Sequence, residues 1–347
     1  MTPRQSLEML LERRNLSEPQ AAALLGILTN AELAPALAGA LLAALRAKGV
    51  TADELRGFAG AMRSLARKPL LPRAQDGRGI DAIDIVGTGG DVSGSLNLST
   101  GAAMLAAACG LPVAKHGNRS ISSRSGSADL MEALGLPMPL DEQRAGECFA
   151  ATGFTFFLAP YYHPAMKAVG PVRAALGVRT VFNMLGPLTN PAAPRFLLVG
   201  AYDAAAAELM AGTLAGTQIE HAWVVHGAAG WDEATPIGPF LAFDVRDNQV
   251  QRMEIDPAEF GVARCRTEQL AGSDAAYNLA ALVDVLEGRD SGPHLDALLL
   301  QCGMALMIAG RVPTIAAGMA KGREAIDTGV AGNWLEGLRQ FARGAGA

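Results

Sequence analysis

Two short polar segments in the first half of the chain have the residue types of anion-binding loops. One is glycine-rich (GTGGD, residues 87–91) and follows the apolar residues 83–86. The other is basic (KHGNR, residues 115–119) and follows the apolar residues 111–114. If the two apolar runs are adjacent parallel strands, both loops lie at the carboxyl edge of one sheet, where ligands of such folds bind. This arrangement predicts a ligand that carries phosphate groups at both ends.

The glycine loop suits either a phosphate cradle or an ordinary turn. Glycines let backbone N–H groups approach an anion, and a helix predicted to start at Ser99-Thr100 adds two hydroxyls and its positive dipole end. A tight strand-to-helix turn with a Ser N-cap explains the glycines alone equally well. Two common nucleotide-binding patterns are excluded. Val92 occupies the third glycine position of the dinucleotide fingerprint, and Ser95 occupies the lysine position of the P-loop.

The basic loop favours phosphate binding over a simple turn. Lys115 and Arg119 supply positive charge, and Asn118 supplies an amide. Ser122 and Ser123 add hydroxyl donors directly afterwards. A solvated basic turn is the alternative, and it is disfavoured because the segment follows a predicted buried strand directly. We therefore interpret the segment as the second half of a phosphate site.

Two adjacent carboxylates, Asp232 and Glu233, follow the apolar strand predicted at 222–226 and a glycine-bearing loop. Mg²⁺ is bound by one or two carboxylates, retains water, and takes substrate phosphates as further ligands. An isolated Asp-Glu pair is usually a solvated turn. Beside two phosphate loops, the pair indicates a metal site.

Arg173 lies on a predicted helix and is a candidate receiver for a carboxylate. Its planar guanidinium matches a carboxylate with two parallel hydrogen bonds. The alternative is a salt bridge on the surface or between lobes. Arg179 competes for the same role, and we expect it instead to hold the lobes together.

Apolar periodicity indicates the elements that position these residues. Residues 1–68 show only helical patterns, with capping boxes that begin at Ser17 and Thr51. Further along, almost continuously apolar strands alternate with helices, as in parallel sheets covered on both faces. Residues 275–345 return to helices. The predicted strands are 83–86, 111–114, 154–159, 196–200 and 222–226, followed by a hairpin of 241–245 and 250–255 across Asp247-Asn248.

These patterns predict an α/β fold in which a mainly parallel central sheet is flanked by helices, plus a smaller all-helical lobe. A linker with Pro69, Pro72, Gly77 and Gly79 separates the two parts. We expect residues 1–71, joined by the region 167–187, to form the helical lobe. Residues 72–166 and 188–347 are expected to form the α/β domain that binds the phosphorylated ligand.

The amino-acid composition indicates the cellular compartment and disfavours some classes of binding partner. The chain has 347 residues, a net charge of −5 and a pI of about 5.6, which disfavours nucleic-acid binding. Its four cysteines form no C-x-x-C pair, as expected for thiols in a reducing cytosol. No secretory signal pattern is present, and no apolar stretch reaches the roughly 20 residues of a membrane span. The sequence therefore predicts a cytoplasmic protein that binds neither nucleic acid nor membranes.

The motifs together resemble the anthranilate phosphoribosyltransferase family. The family pattern is present in order as GTGGD, N-x-ST, KHGNR-x-x-SS, GSAD-x-x-EALG, HPAMK, VR-x-x-LG-x-RT-x-FN-x-LGPLTNP and HG-x-x-G-x-DE. The resemblance implies a two-domain fold of the nucleoside phosphorylase and phosphoribosyltransferase type. It also implies transfer of the phosphoribosyl group from 5-phosphoribosyl 1-diphosphate to the amine of anthranilate, in tryptophan biosynthesis. Family members commonly form homodimers, which we expect here through the helical lobe.

The resemblance also implies roles for individual residues. Those expected to bind the ribosyl donor are Gly87, Thr88, Gly89, Gly90, Asp91, Ser95, Asn97, Leu98, Ser99, Thr100, Lys115, His116, Gly117, Asn118, Arg119, Ser120, Ile121, Ser122, Ser123 and Ser127. Those expected around anthranilate are Gly87, His116, Asn118, His163, Met166, Arg173 and Pro187. Ser99, Asp232 and Glu233 are expected to hold Mg²⁺, with two ions per subunit.

Two other readings compete with this function. A pyrimidine-nucleoside phosphorylase has the same architecture, but the segment Gly117 to Arg119 and the pair Asp232-Glu233 favour a magnesium-diphosphate substrate. A non-catalytic paralogue that binds a ligand or nucleic acid is disfavoured by the intact motifs and the acidic pI. No residue has the pattern of a required nucleophile or strong base, and the amine of anthranilate is already uncharged at neutral pH.

Overall fold

The computed structural model describes residues 2–72, 74, 76–77, 79–91, 93–120 and 124–344. Four helices come first, as the sequence predicts: α1 (Pro3–Leu11), α2 (Glu18–Leu28), α3 (Pro35–Lys48) and α4 (Ala52–Leu65). The capping boxes at Ser17 and Thr51 are both confirmed. Glu54 of the second box is fully buried, where it accepts bonds from Leu16 N at 2.8 Å and Lys48 Nζ at 2.9 Å. This cap therefore also joins α4 to the segment before α2.

The α/β part alternates strands and helices up to the hairpin. Its elements are β1 (Ile80–Gly87), α5 (Leu98–Ala108), β2 (Val113–Gly117), α6 (Ser127–Leu134), α7 (Glu142–Thr152), β3 (Phe154–Leu158), α8 (Ala159–Tyr162), α9 (Met166–Leu176), α10 (Phe182–Leu188), β4 (Pro194–Gly200), α11 (Ala204–Leu214), β5 (His221–His226), β6 (Phe240–Arg246) and β7 (Gln249–Ile255). Four helices complete the chain: α12 (Ala275–Leu286), α13 (Pro293–Ile308), α14 (Ile315–Asp327) and α15 (Val330–Gly344).

The seven strands form one sheet in the order β3-β2-β1-β4-β5-β6-β7. The first five in this order are parallel, and β6 and β7 form the predicted antiparallel hairpin. Its turn residues Asp247 and Asn248 have φ of 52° and 60°, the conformation of a tight hairpin turn. The prediction of a mainly parallel sheet flanked by helices is confirmed.

Helices cover both faces of the sheet. Successive strand residues point to opposite sides, so these apolar strands present apolar side chains on both faces, and both faces must be buried. In β4, Leu198 belongs to the core under α5–α7 and α12–α15. Its neighbours Leu197 and Val199 belong to the core shared with α1–α4 and α9–α11. All three residues are buried. The near-continuous hydrophobicity of the strand sequences follows from this two-sided burial.

Helices α9 and α10 lie against the N-terminal helices. The Phe182 ring of α10 packs edge-on against Phe58 of α4, with centroids 6.5 Å apart. Val172 of α9 lies beside Gly39 of α3. The division into lobes at residue 71 stays a prediction. Within the described residues, no helix is both long and apolar enough to cross a membrane.

Candidate active site

Two glycines at adjacent strand ends make room for the acidic segment. Gly87 ends β1 and Gly200 ends β4, and the two are paired in register. A Cβ at Gly200 would lie 1.5 Å from the backbone oxygen of Asp232, and one at Gly87 would lie 2.4 Å from its Oδ2. Any other residue at either position would displace Asp232. The glycines therefore let the Asp232 segment cross over the carboxyl edge of the sheet.

The acidic pair bonds directly to the predicted anion-binding groups. Asp232 Oδ2 accepts from Gly89 N at 2.6 Å, and Gly89 has the positive φ expected of the loop. Glu233 Oε1 accepts from Ser99 N at 2.9 Å, in the first turn of α5. Backbone N–H groups and the positive end of the helix dipole favour negative charge at both places. The glycine loop and the start of α5 are thus anion sites, held here by the chain's own carboxylates.

The environment of this pair suits a divalent cation. Burial, followed by the charge of Asp91, raises the pKa of Asp232, and burial, followed by the charge of Asp232, raises the pKa of Glu233. Such carboxylates gain stability when a cation offsets their charge. No cluster of three His, Cys, Asp or Glu side chains arranged for a metal occurs in the part of the chain that the structure describes. An ion held by Asp232 and Glu233 would therefore need the hydroxyl of Ser99, water or ligand oxygens.

The structure corrects the expected position of Lys115. The strand predicted at 111–114 is instead Val113–Gly117, so Lys115 and His116 belong to β2 rather than to the loop after it. The Lys115 side chain is buried, and its Nζ donates to the backbone oxygen of Ile85. Burial lowers the pKa of Lys115 to about 8, while the charges of Asp84, Glu233 and Asp232 raise it. Lys115 is therefore a cation beneath the acidic pair and not an exposed loop residue.

A buried carboxylate, Asp84, joins three segments beneath the site. Its Oδ1 accepts from His116 N at 3.2 Å, and its Oδ2 accepts from Asn190 Nδ2 at 2.8 Å. Asn190 Nδ2 also donates to Ala114 O at 2.7 Å. Burial raises the pKa of Asp84 to about 6, opposed first by the charge of Lys115. These contacts fix β2 to β1 and to the segment after α10.

Two buried histidines meet where β2 approaches α10. The rings of His116 and His163 pack edge-on, with centroids 5.1 Å apart. Burial lowers the pKa of His116 to about 3 and that of His163 to about 4, so both are neutral at pH 7. His116 Nδ1 lies 3.0 Å from Gly186 O and must donate to that carbonyl. A neutral ring with this tautomer can only accept at Nε2, which has no hydrogen-bond partner among the residues that the structure describes.

Arg173 has the features of a receiver for a ligand carboxylate. It lies on α9, as predicted, and its guanidinium carbon sits 5.3 Å from the Phe182 ring centroid. Burial lowers the pKa of Arg173, and no acidic side chain in the described residues pairs with it. The alternative of a salt bridge is therefore not observed.

Arg179 holds a different position from Arg173. Its Nη2 donates to Gly90 O at 2.5 Å, and its guanidinium lies 4.0 Å from the Tyr202 ring centroid. Arg46 of α3 donates to the backbone oxygen of Arg179 at 2.8 Å. Arg179 thus connects α3 to the glycine loop, whereas its expected role of holding two lobes together stays a prediction.

Several other predicted donor-binding residues have partners within the protein. Asn97 Oδ1 accepts from Asn278 Nδ2 at 2.9 Å, which joins α5 to α12. Arg119 pairs with Glu132 of α6. Their roles toward a ligand stay predictions. Ile121, Ser122 and Ser123 lie outside the described residues. Thr88, Gly90 and Asp91 lie on the glycine loop, and Ser95 lies between that loop and α5, which contains Leu98 and Thr100. Gly117 ends β2, Asn118 and Ser120 lie between β2 and α6, and Ser127 begins α6.

Sequence reasoning missed Gly200, Asp84 and Asn190. Asp84 carried a detectable signal, because a carboxylate inside the apolar run Ile83–Val86 must be paired when that strand is buried. Gly200 ends a predicted strand, a place where close backbone approach is common. Asn190 lies in the motif LGPLTNP, but its bond to Asp84 carried no local signal, since the two residues are 106 positions apart.

Comparison with known proteins finds a helical domain followed by an α/β domain, and the similarity covers nearly the whole chain. The α/β domain of a glycosyl transferase family matches residues 79–332, and the helical bundle domain of that family matches residues 4–66. Anthranilate phosphoribosyltransferase of Solibacter usitatus is 46% identical over 336 residues, covering 97% of both chains.

Solved structures agree with the sequence comparison. The anthranilate phosphoribosyltransferase of Thermus thermophilus superimposes with a TM-score of 0.89 at 39% identity, covering 97% of this chain and 99% of that one. The Saccharomyces cerevisiae enzyme, in complex with PRPP and Mg, gives a TM-score of 0.87 at 26% identity, covering 99% and 98%. The same yeast enzyme in complex with 4-fluoroanthranilate gives 0.86, with the same coverage.

Proposed function

The chain belongs to the anthranilate phosphoribosyltransferase family, and from this premise we propose how its own residues carry out the reaction. The phosphoribosyl group passes from 5-phosphoribosyl 1-diphosphate to the amine of anthranilate, a step of tryptophan biosynthesis. The C1–O bond to diphosphate breaks, a C1–N bond forms, and the amine proton leaves to solvent.

One observation carries the donor side of this proposal. The buried pair Asp232 and Glu233 sits against Gly89 N and Ser99 N, at the edge where parallel strands end. The carboxylates can bind a cation, and the neighbouring backbone N–H groups can bind an anion. A divalent cation and a diphosphate can therefore bind side by side here and neutralise each other's charge. Among the predicted donor-binding residues, Gly89, Ser95 and Ser99 bond directly to this pair.

Mg²⁺ is the cofactor that this donor set fits. We assign Asp232, Glu233 and Ser99 as its protein ligands and expect two ions per subunit. When bound, Mg²⁺ offsets the charge of the departing diphosphate and orients it. The yeast relative in complex with PRPP and Mg supports the choice of Mg²⁺ as the metal.

The acceptor side needs orientation more than acid-base chemistry. Arg173 is proposed to bind the carboxylate of anthranilate, with His116 and His163 as neutral walls beside its ring. Met166, Asn118, Gly87 and Pro187 complete the proposed pocket. Because the amine is uncharged at neutral pH, alignment and stabilisation of developing charge supply the rate enhancement.

The function can be tested by following the loss of anthranilate fluorescence with purified protein, the ribosyl donor and Mg²⁺. We expect consumption of anthranilate that stops when a chelator removes the metal and resumes when Mg²⁺ is returned in excess. Thymidine with inorganic phosphate and no Mg²⁺ is the comparison reaction. Turnover of thymidine with none of anthranilate would favour the phosphorylase reading.

Replacing Arg173 by Ala is expected to raise the KM for anthranilate by about 10- to 100-fold, because a charge-assisted bidentate pair is lost. The KM for the ribosyl donor should change little. Initial rates measured over both substrate concentrations give the two constants. Arg266→Ala, at an exposed arginine, is the matched control. An unchanged anthranilate KM with a large rise in the donor KM would contradict the assignment.

We also propose a homodimer formed through the helical lobe. Leu11 of α1 and Val178 after α9 are large apolar residues that are 67% and 50% exposed. Both lie on the surface of the N-terminal helices or of the segment packed against them. Light scattering during size-exclusion chromatography measures the mass of the assembly directly.

A further inference from the structure

A second cavity lies at the opposite edge of the sheet from the proposed active site. Its volume is about 270 Å³, room for about nine waters. Gly79 before β1, Pro194 at the start of β4 and Ile219 before β5 line it, so it adjoins the amino ends of the strands. Asp232 covers the carboxyl ends of the same strands. The length of β1 places the two sites roughly 20 Å apart.

The last turn of α10 separates the cavity from the histidine pair. Gly186 accepts from His116 on the active-site side. Pro187 and Leu188, the next two residues, line the cavity. The cavity is therefore bounded by α10, by α4 and by the starts of two strands. It shares Pro187 with the proposed acceptor pocket but lies on the other side of the last turn of α10 from the histidine pair.

Three arginines line this cavity, and two of them are fully paired. Arg56 binds Asp53 at 2.9 Å and donates to the backbone oxygens of Gly212 and Thr213. Arg195 pairs with Glu220. These two side chains have no need of a ligand.

Arg63, the third arginine, has no such partner. It lies on α4 seven residues after Arg56, on the same helix face. No hydrogen bond or ion pair is formed by its guanidinium with any residue that the structure describes. Burial lowers the pKa of Arg63. The Arg63 side chain is partly buried, and an anion in the cavity would give its unpaired N–H groups an acceptor.

The remaining walls indicate what kind of anion fits. Leu188, Leu197, Leu214 and Ile219 supply apolar surface to the cavity. Its polar lining also includes Glu18, whose charge is paired with Arg56 at 3.4 Å, and Asn190, Thr217 and Gln218. A fork of N–H donors matches a carboxylate, and apolar walls match a small hydrocarbon body. Inorganic phosphate would satisfy the charge but would leave the apolar walls without contacts.

We propose that this cavity is a binding site for a small monocarboxylate with an apolar body, held by Arg63. The ligand would lie between α4 and the starts of β4 and β5. By bridging these elements it would stabilise the packing of the N-terminal helices on the sheet. This role goes beyond the proposed transferase reaction, and none of its residues touches the acidic pair.

The variants must separate the new site from the active site. Arg173→Ala serves as the background, because it removes the carboxylate receiver proposed at the active site. Arg63→Met then removes the charge while keeping most of the side-chain length. Gly60→Leu fills the cavity region and leaves Arg63 intact, since a Cβ at Gly60 meets no atom within 4 Å. Arg63→Met should be about as stable as its background, because it removes a partly buried charge that pairs with no residue the structure describes.

The probe is 4-fluorobenzoate, titrated by fluorine NMR in the Arg173→Ala background. We expect one saturable site, weakened at least tenfold by Arg63→Met and also by Gly60→Leu. Inorganic phosphate in place of the probe should bind much more weakly. The proposal is overturned if no binding is seen, if both added variants bind as the background does, or if phosphate competes equally. The single variant Arg63→Met should turn over anthranilate at the wild-type rate. That result would show that the transferase activity does not depend on whether the Arg63 cavity binds a carboxylate.

Discussion

The double variant Asp232→Asn, Glu233→Gln is expected to lose about 10³-fold in kcat and yet to unfold less readily than the wild type. The loss of activity follows from the loss of metal-assisted neutralisation of diphosphate, which is worth several kcal/mol in such reactions. The amide oxygens can still accept from Gly89 N and Ser99 N, so the loop geometry should persist.

The gain in stability follows from the pKa shifts. Burial raises the pKa of both carboxylates above their unfolded values, so the folded protein binds protons that the unfolded chain has released. The free energy of unfolding of the metal-free wild type must therefore fall as pH rises from about 4 through the raised pKa values. The double variant lacks these two groups, so its stability should depend less on pH over that window.

Urea unfolding with chelator at pH 6 and pH 8, together with kcat at saturating Mg²⁺, measures both effects. Glu254→Gln, at an exposed carboxylate on β7, is the control and should alter neither quantity. A double variant that keeps its kcat would remove the pair from the reaction. If the double variant were clearly less stable than the wild type at pH 8, the two carboxylates would be shown to stabilise the fold rather than to destabilise it.

Asp84→Ala is expected to lower the free energy of unfolding by about 3–5 kcal/mol, the range for removing one member of a buried charged network. The change leaves His116 N and one Asn190 N–H without an acceptor, and it leaves Lys115 buried without its nearest counter-charge. Because β2 carries His116 toward the proposed acceptor pocket, activity should fall even in the fraction that folds.

Asp81→Ala is a matched control, because Asp81 lies on the same strand but is exposed and forms a surface ion pair with Arg311. Surface pairs contribute at most about 1 kcal/mol. Urea denaturation of both variants at pH 7 provides the comparison. Equal losses for the two aspartates would mean that the Asp84 network contributes no special stability.

Much of the fold could be read from the sequence because its signals are local. The capping boxes at Ser17 and Thr51, the strands before Gly87 and Gly200, and the Asp247-Asn248 hairpin each depend on a few neighbouring residues. Parallel strands covered on both faces are apolar throughout, so they were visible without an alignment. The one displaced strand, β2, continues into polar residues that the apolar pattern could not assign to a sheet.

The sequence by itself determined the chemistry of the site: a glycine loop, a helix start with hydroxyls, an acidic pair and an arginine suited to a carboxylate. Only the tertiary structure decided how these groups meet. It placed Lys115 under the sheet edge, joined Asp84 to Asn190, and set Asp232 and Glu233 on the backbone donors of the glycine loop and α5. These contacts join segments up to 143 positions apart. They depend on the strand order, which places β1 between β2 and β4 and which no local pattern of residues encodes.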